Sequence, residues 1–493
     1  MDVTTRQGTF RGTPTAGGWA FLGIPYAEAP VGAARFDAPR PPRRHDGLVD
    51  ATTFGPTVST PPQRSAVMDE LLPDPRRPGD DSLNLNIWTP GVTGSAPVLV
   101  FIHGGGFATG AGSTTAFDGT AFARDGVVAV TINYRLAVEG FALLPDAPAN
   151  RGLLDMIAAL EWVRDEIARF GGDPSRVTIS GESAGGMAVC VLLAVPRARG
   201  LFRRAIAQSG TAHHVHTVEH AEVVAAELAA ELGVEPTAAA IARVPVDVLH
   251  KATNLVITRL TSGQDPLSAD FRRLVFQPVV EGDLLPVHPY SAAVAGDVAD
   301  VDLLIGVNAD EYGLFVAPTG LADGMSEEVL AATTARVVGP GVDAAAMVER
   351  YRTRMPEATH AELFVALQSD WFCVAPTDRL VEALRDAGRT AHVYEFAWRP
   401  ATYDGRLGAC HTLEIPFVFD TLADPWGIAL RGTDAPQELA DEMHAAWVAF
   451  VRDGDPGWPA YGADRLVRRL DLASETVTDP LAPSREAWAG IDL

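Results

Sequence analysis

The sequence is nearly without lysine. Lys251 is the only one among 39 basic residues, and it lies in Leu249-His250-Lys251-Ala252 with no glycine loop beside it. Chemistry that depends on a lysine, as a Schiff base or at the phosphates of a P-loop, therefore has no candidate residue. Basic residues are outnumbered by 63 acidic ones, for a net charge of −24. A nucleic-acid or anionic-membrane partner needs a basic face, and this balance argues against one. Three cysteines in 493 residues, Cys190, Cys373 and Cys410, are too few and too scattered for a disulfide framework or a zinc knuckle. The longest uninterrupted apolar run, Met187 to Val195, is nine residues and stops at Pro196, far short of a membrane span. Met1 to Gly8 contains no apolar leader segment, so the expectation is a soluble cytoplasmic protein.

What is present centres on Val177-Thr178-Ile179-Ser180-Gly181-Glu182-Ser183-Ala184-Gly185-Gly186. This stretch reads as a buried strand, a sharp turn and the start of an apolar helix. In such a G-x-S-x-G turn the serine occupies a strained position, and the flanking glycines let strand and helix pack closely. Ser183 is thereby pushed outward above a helix N-terminus, whose free N–H groups favour an anion. Upstream, Ala96 to Ile102 reads as a core strand running into His103-Gly104-Gly105-Gly106-Phe107, a loop able to bring N–H groups against a developing oxyanion. Together the two motifs point to acyl transfer.

The rest of the chain follows one α/β rhythm. Leu83 to Trp88, Val127 to Ile132, Ala205 to Ala207, Leu303 to Val307 and Val393 to Phe396 read as strands. An amphipathic helix over about 153–170 carries Ile157, Leu160, Val163 and Ile167 on one face and stops at Gly171-Gly172-Asp173-Pro174. The alternation predicts a mostly parallel sheet wound with helices, in one domain over residues 1–493. Helical stretches at about 217–260 and 326–390 interrupt it and are expected to cap the active site and form its pocket walls.

A serine hydroxyl needs a histidine to take its proton and a carboxylate to orient that histidine, in the chain order serine, acid, histidine. Beyond the elbow, His360, His392, His411 and His444 are available; His411 stands in a glycine-bearing loop, Leu407-Gly408-Ala409-Cys410-His411. For the acid, Asp310 and Glu311 both end the strand that runs through Val307, and physical chemistry alone does not choose between them. His213, His214, His216, Glu219 and His220 suggest a metal cluster, but Thr217 reads as an N-cap that leaves His216 outside the helix; the histidines are expected to line the pocket mouth, with no metal.

These motifs resemble those of the type-B carboxylesterases, the group that includes bacterial para-nitrobenzyl esterases and, more distantly, the cholinesterases. The resemblance extends over almost the whole chain, through Gly23-Ile24-Pro25-Tyr26-Ala27, Asn133-Tyr134-Arg135-Leu136, Ala205-Ile206-Ala207-Gln208-Ser209-Gly210 and Gly454-Asp455-Pro456. It implies an α/β-hydrolase fold with helices on both faces of the sheet. It also implies Ser183 as nucleophile, Glu311 as acid, His411 as base, and the N–H groups of Gly105, Gly106 and Ala184 as oxyanion donors. Three positions depart from the family: Ser82 replaces a cysteine that many secreted members pair, Tyr312 replaces a glycine after Glu311, and Ala137 replaces a glycine after Leu136.

The implied activity is hydrolysis of small-molecule carboxylic esters without a cofactor, by a monomer. A non-catalytic interaction protein of the same fold is the alternative, as is action on a carbamate, amide, thioester or lactone. Activity is expected to fall on acidification through about pH 6–7, where an ordinary histidine protonates. Phe107 and the segments after Phe276 and Phe315 are expected to narrow the acyl pocket to short and medium chains. The glycine loop should leave the alcohol side roomy.

Overall fold

The computed structural model describes residues 1–61, 65–262, 274–339 and 341–491. Its centre is an eleven-stranded sheet. In chain order the strands are β1 (Thr13–Thr15), β2 (Gly18–Pro25), β3 (Asn84–Thr89), β4 (Ala96–Ile102), β5 (Val128–Ile132) and β6 (Gly172–Glu182). They continue with β7 (Arg204–Gln208), β8 (Asp302–Asn308), β9 (Ala391–Phe396), β10 (Leu466–Leu470) and β11 (Glu475–Thr478). The spatial order is β11-β10-β9-β8-β7-β6-β4-β5-β3-β2-β1. From β10 across to β5 every pairing is parallel, and antiparallel strands close both edges. A separate small sheet joins Asp2–Thr4, Thr9–Arg11 and Leu48–Asp50.

The central strands are apolar on both faces because both faces are covered. Along β4, Val98, Val100 and Ile102 enter one core while Leu99 and Phe101 enter another. The same alternation sends Ile305 and Leu304 of β8 to opposite sides. The first core takes the buried face of α1 (Arg151–Glu166), where Ile157, Leu160 and Val163 are fully buried. A 3₁₀ turn continues to Phe170, and Gly171, at φ 79°, ends it in the left-handed conformation that glycine adopts at little cost. The helix after the elbow, α2 (Ala184–Ala194), is buried on every side, which is why its sequence carries no polar face.

The two stretches read as insertions are helical. The first contains α3 (Val218–Leu232), capped by Thr217 Oγ1 accepting from the His220 N–H, and α4 (Val246–Thr261). The second contains α5 (Glu327–Val338), α6 (Ala344–Arg354) and α7 (His360–Ser369), then a π-helical turn, Asp370–Val374, and α8 (Ala375–Asp386). No helix among the described residues is long and apolar enough to cross a membrane. Behind the site a buried bidentate pair, Arg135 with Asp155 at 2.7 and 2.8 Å, ties the loop after β5 to α1. Ala137, where the family favours glycine, sits at φ 46°, and its N–H donates to Phe107 O at 2.7 Å. A left-handed alanine costs about 1–2 kcal/mol, which the surrounding structure offsets.

Candidate active site

Ser183 sits between β6 and α2 at φ 55°, ψ −125°, a strained conformation for a residue with a side chain. It is held by its N–H donating to Gln208 O at 2.9 Å and by its carbonyl accepting from Met187 N at 2.8 Å. The glycines around it are set by sterics. A Cβ on Gly181 would lie 2.4 Å from the Gly185 carbonyl carbon, and one on Gly185 would lie 1.9 Å from Ile102 O. The loop after β4 comes as close: a Cβ on Gly104 would meet Ser183 Cβ at 2.9 Å. Gly105 and Gly106 are both left-handed, at φ 106° and 61°, and neither N–H donates to an acceptor among the described residues. Ala184 opens α2, where an N–H has no partner within the helix. The loop that carries Gly105 and Gly106 thus packs through Gly104 on the serine turn, and Ala184 follows the serine directly.

The loop after β9 brings His411 to the end of β8. His411 Nδ1 donates to Glu311 Oε2 at 2.6 Å, and Glu311 Oε1 accepts the Asn308 N–H at 2.9 Å. Both side chains are buried. Asp310 turns the other way. It takes a bidentate ion pair from Arg399 at 2.9 and 3.1 Å and accepts the Ala409 N–H at 2.8 Å, so it anchors the loop that carries His411. The two candidate acids thus have separate surroundings, and Glu311 is the one that touches the histidine.

Tyr312 is αR, at φ −80°, so it needs no glycine, and its ring packs against Phe315, Phe364 and Phe372. The position that does require glycine is the next one, where a Cβ on Gly313 would lie 2.0 Å from Leu407 O. The other histidines have partners elsewhere: His444 bonds Val418 O and Asp125, His392 bonds Trp458 O, and His360 pairs with Glu327.

Two carboxylates that the sequence reading passed over join the site. Glu182 is the middle residue of Gly181-Glu182-Ser183 and is buried, with Oε1 3.3 Å from His411 Nε2 and accepting from Thr412 Oγ1 at 2.9 Å. Burial pushes its carboxyl up to about 8 against the pull of His411, and the charge of Glu414 adds to the rise. Glu414 is fully buried and accepts from Gln208 Nε2 at 3.0 Å and Asn308 Nδ2 at 2.7 Å; burial raises it too. Burial disfavours the charged form of His411, but Glu182 and then Glu311 outweigh this and raise it to about 9. With His411 as the base, the acid limb is expected above the pH 6–7 of an ordinary histidine, because the ring faces carboxylates rather than water.

Phe315 and Phe372 flank the histidine, with ring centroids 5.6 and 6.1 Å from it. Phe107 does not face the site. At φ 57° it is fully buried, its ring packed on Phe141 at 4.8 Å, and only its backbone belongs to the glycine loop. Phe276 is likewise buried in the core. A cavity of about 90 Å³ lies beside the serine turn, lined by Leu72, Asp74, Gly104, Glu182, Thr412 and Trp426 among others. Of the upstream histidines, His214 packs on Phe372 at 5.0 Å, His213 packs on Tyr290 at 4.6 Å, and His216 bonds Val275 O, with burial pushing it down to about 4. His103 too is pushed down to about 4 by burial, and its ring stacks on Tyr134 at the start of the glycine loop.

Comparison with known proteins agrees over nearly the full length. The carboxylesterase family model matches residues 1–476. A para-nitrobenzyl esterase of Bacillus subtilis (strain 168) is 35% identical, with 98% of this chain and 97% of that protein covered. A phenmedipham hydrolase of Pseudarthrobacter oxydans is 34% identical, with 93% and 92% covered. Among solved structures, a carboxylesterase of Geobacillus stearothermophilus is 36% identical and superposes with a TM-score of 0.85, covering 99% of each chain. The fold is that of the α/β-hydrolases.

Proposed function

Because this chain belongs to the carboxylesterase family, and is accordingly a serine esterase acting on carboxylic esters, we propose that Ser183, His411 and Glu311 are its catalytic triad. The observation that carries this is the 2.6 Å bond from His411 Nδ1 to Glu311 Oε2. It leaves Nε2 as the nitrogen that can accept a proton, and holds the imidazolium that forms once it does. Ser183 Oγ attacks the ester carbonyl as its proton passes to His411. The N–H groups of Gly105, Gly106 and Ala184 receive the oxyanion, a single such donor being worth about 10²–10³ in rate. The leaving alcohol then takes the proton from His411, and water releases the acid from the acyl-enzyme by the same steps in reverse order.

In this reading Phe315 and Phe372 bound the acyl pocket and favour short to medium chains, while Gly106, where an added Cβ would touch, among the described residues, only Leu274 at 3.4 Å, leaves room for a bulky alcohol. The enzyme works on small-molecule esters as a cytoplasmic monomer, without a cofactor, nucleic acid or membrane. Its three cysteines, all free and buried, support a reducing compartment. Ser183→Ala tests the core of the proposal. It should remove the acyl-enzyme burst and lower turnover by about 10⁴-fold or more, because triad members act as a unit. Retention of more than a few per cent of activity would assign the nucleophile elsewhere. A matrix of para-nitrophenyl esters from acetate to palmitate, beside n-butyl and tert-butyl acetate, tests the shape of the pocket. A preference for palmitate, or refusal of the tert-butyl ester, would contradict it.

A further inference from the structure

Next to the Glu311–His411 pair lies a group with no task in acyl transfer. Cys373, in the π-helical turn Asp370–Val374, is fully buried, with its thiol directed to Ser209 O at 3.5 Å. Its Sγ, a carboxylate oxygen of Glu311 and a ring nitrogen of His411 all lie within 4.8 Å of one another. Sulfur, imidazole nitrogen and carboxylate oxygen together suit zinc, at about 2.3 Å from sulfur and about 2.0–2.2 Å from nitrogen or oxygen. Those lengths place tetrahedral ligand atoms roughly 3.3–3.6 Å apart, so side-chain shifts of about 1 Å would close the set around an ion and leave its fourth position to water. The electrostatics point the same way. The charges that raise His411 are the carboxylates Glu182, Glu311 and Glu414, and among the described residues none of the three pairs with an arginine or lysine.

We propose that Glu311, Cys373 and His411 form a soft-metal site, at which Zn²⁺ or its heavier congener Cd²⁺ binds and shuts off the esterase. Binding forms sulfur–metal and nitrogen–metal bonds and releases to solvent the thiol proton and, where His411 is protonated, the imidazolium proton, so the apparent affinity should rise with pH. A metal on the imidazole either occupies the nitrogen that accepts the serine proton or breaks the bond to Glu311 that orients the ring. The inhibition rests on His411 being the base; the binding does not.

The test is a Cd²⁺ titration of the full chain, followed by thiolate-to-cadmium charge-transfer absorption in the ultraviolet and by turnover of para-nitrophenyl butyrate. In the wild type the band should grow as turnover falls, and EDTA should reverse both. Cys373→Ser should turn over normally, lack the band and need at least tenfold more Cd²⁺ for half-inhibition, since even the loss of a residue that only supports a ligand typically costs about 10–100-fold in affinity. Cys373→Ala should show the same resistance and covers a folding failure of the serine variant. Equal inhibition of wild type and variants, no band in the wild type, or a band that persists in the variants through Cys190 or Cys410 would each overturn the site. A Cys373-dependent band with undiminished turnover would overturn the inhibition and turn suspicion on the role of His411, which His411→Ala decides separately by its own turnover.

Discussion

Replacing Glu182 by glutamine should move the acid limb of the pH profile downward. The substitution keeps the shape of the side chain and an amide oxygen that can still accept from Thr412, but removes a carboxylate 3.3 Å from His411 Nε2. A unit charge at that distance is worth about 1.3 kcal/mol at the dielectric constant of water and about 5 kcal/mol at an effective value near 20, or roughly 1 to 4 pH units on the histidine. Because burial pushes Glu182 itself up to about 8, it carries a proton for part of the range and the charge removed is less than a full unit. The expected displacement is therefore at the low end, about 1–2 pH units. The sign follows from the direction of the shift. The carboxylates raise His411 to about 9, so the wild type loses its base as pH falls below that region, and the variant keeps it to lower pH. A pH-stat measurement of kcat/KM on butyl acetate, which does not ionise, reads the limb without interference from the leaving group. Glu182→Asp retains the charge and should leave the limb within about half a unit. A limb in Glu182→Gln that stays within about 0.3 units of wild type, or rises, would refute the coupling.

Other expectations are more direct. Glu311→Gln should lose at least about tenfold more kcat than Asp310→Asn, because only Glu311 touches the histidine while Asp310 holds Arg399 and the Ala409 N–H; the reverse ranking in steady-state assays would move the acid to Asp310. Gly185→Ala places a methyl 1.9 Å from Ile102 O and should cost roughly 3 kcal/mol or more, read from the urea midpoint; a shift under about 1 kcal/mol would mean that the elbow relaxes freely. Phe372→Ala opens space 6.1 Å from the His411 ring and should raise the hexanoate-to-acetate ratio of kcat/KM for para-nitrophenyl esters by about tenfold, at about 1–3 kcal/mol per methylene; an unchanged ratio would remove Phe372 from the acyl pocket.

The features legible in the sequence are those whose physical cause is local. A glycine that must admit a neighbouring backbone, as Gly181 and Gly185 do, announces the elbow before any tertiary contact is known. Parallel strands covered on both faces read as unbroken apolar runs, so β4, β5 and β8 stand out, whereas β10 and β11 lie at or near one sheet edge, with mixed burial that leaves no such run, and escape notice. Side-chain direction was less legible. Phe107 follows three glycines and looks like a wall of the pocket, yet its positive φ turns the ring into the core against Phe141, and no pattern in the sequence reports that angle. The choice between Asp310 and Glu311 is of the same kind, decided by which neighbour each carboxylate meets.

Glu182 and Glu414 were missed for a further reason, which bears on how the site works. Neither occupies a position that an isolated triad needs, and a single glutamate beside a serine or in a loop carries no signal of burial. Their significance arises only when β6, β7, β8 and the His411 loop converge and place three carboxylates around one imidazole, with Gln208 and Asn308 supplying neutral donors instead of arginines. An arginine there would hold the glutamates ionised and settle the charge on the histidine. Amide donors do not, so protons can be shared across the cluster, and the charge state of His411 depends on the group as a whole rather than on Glu311 alone. The pH dependence of this esterase should accordingly respond to changes at Glu182 more than at any residue outside the triad.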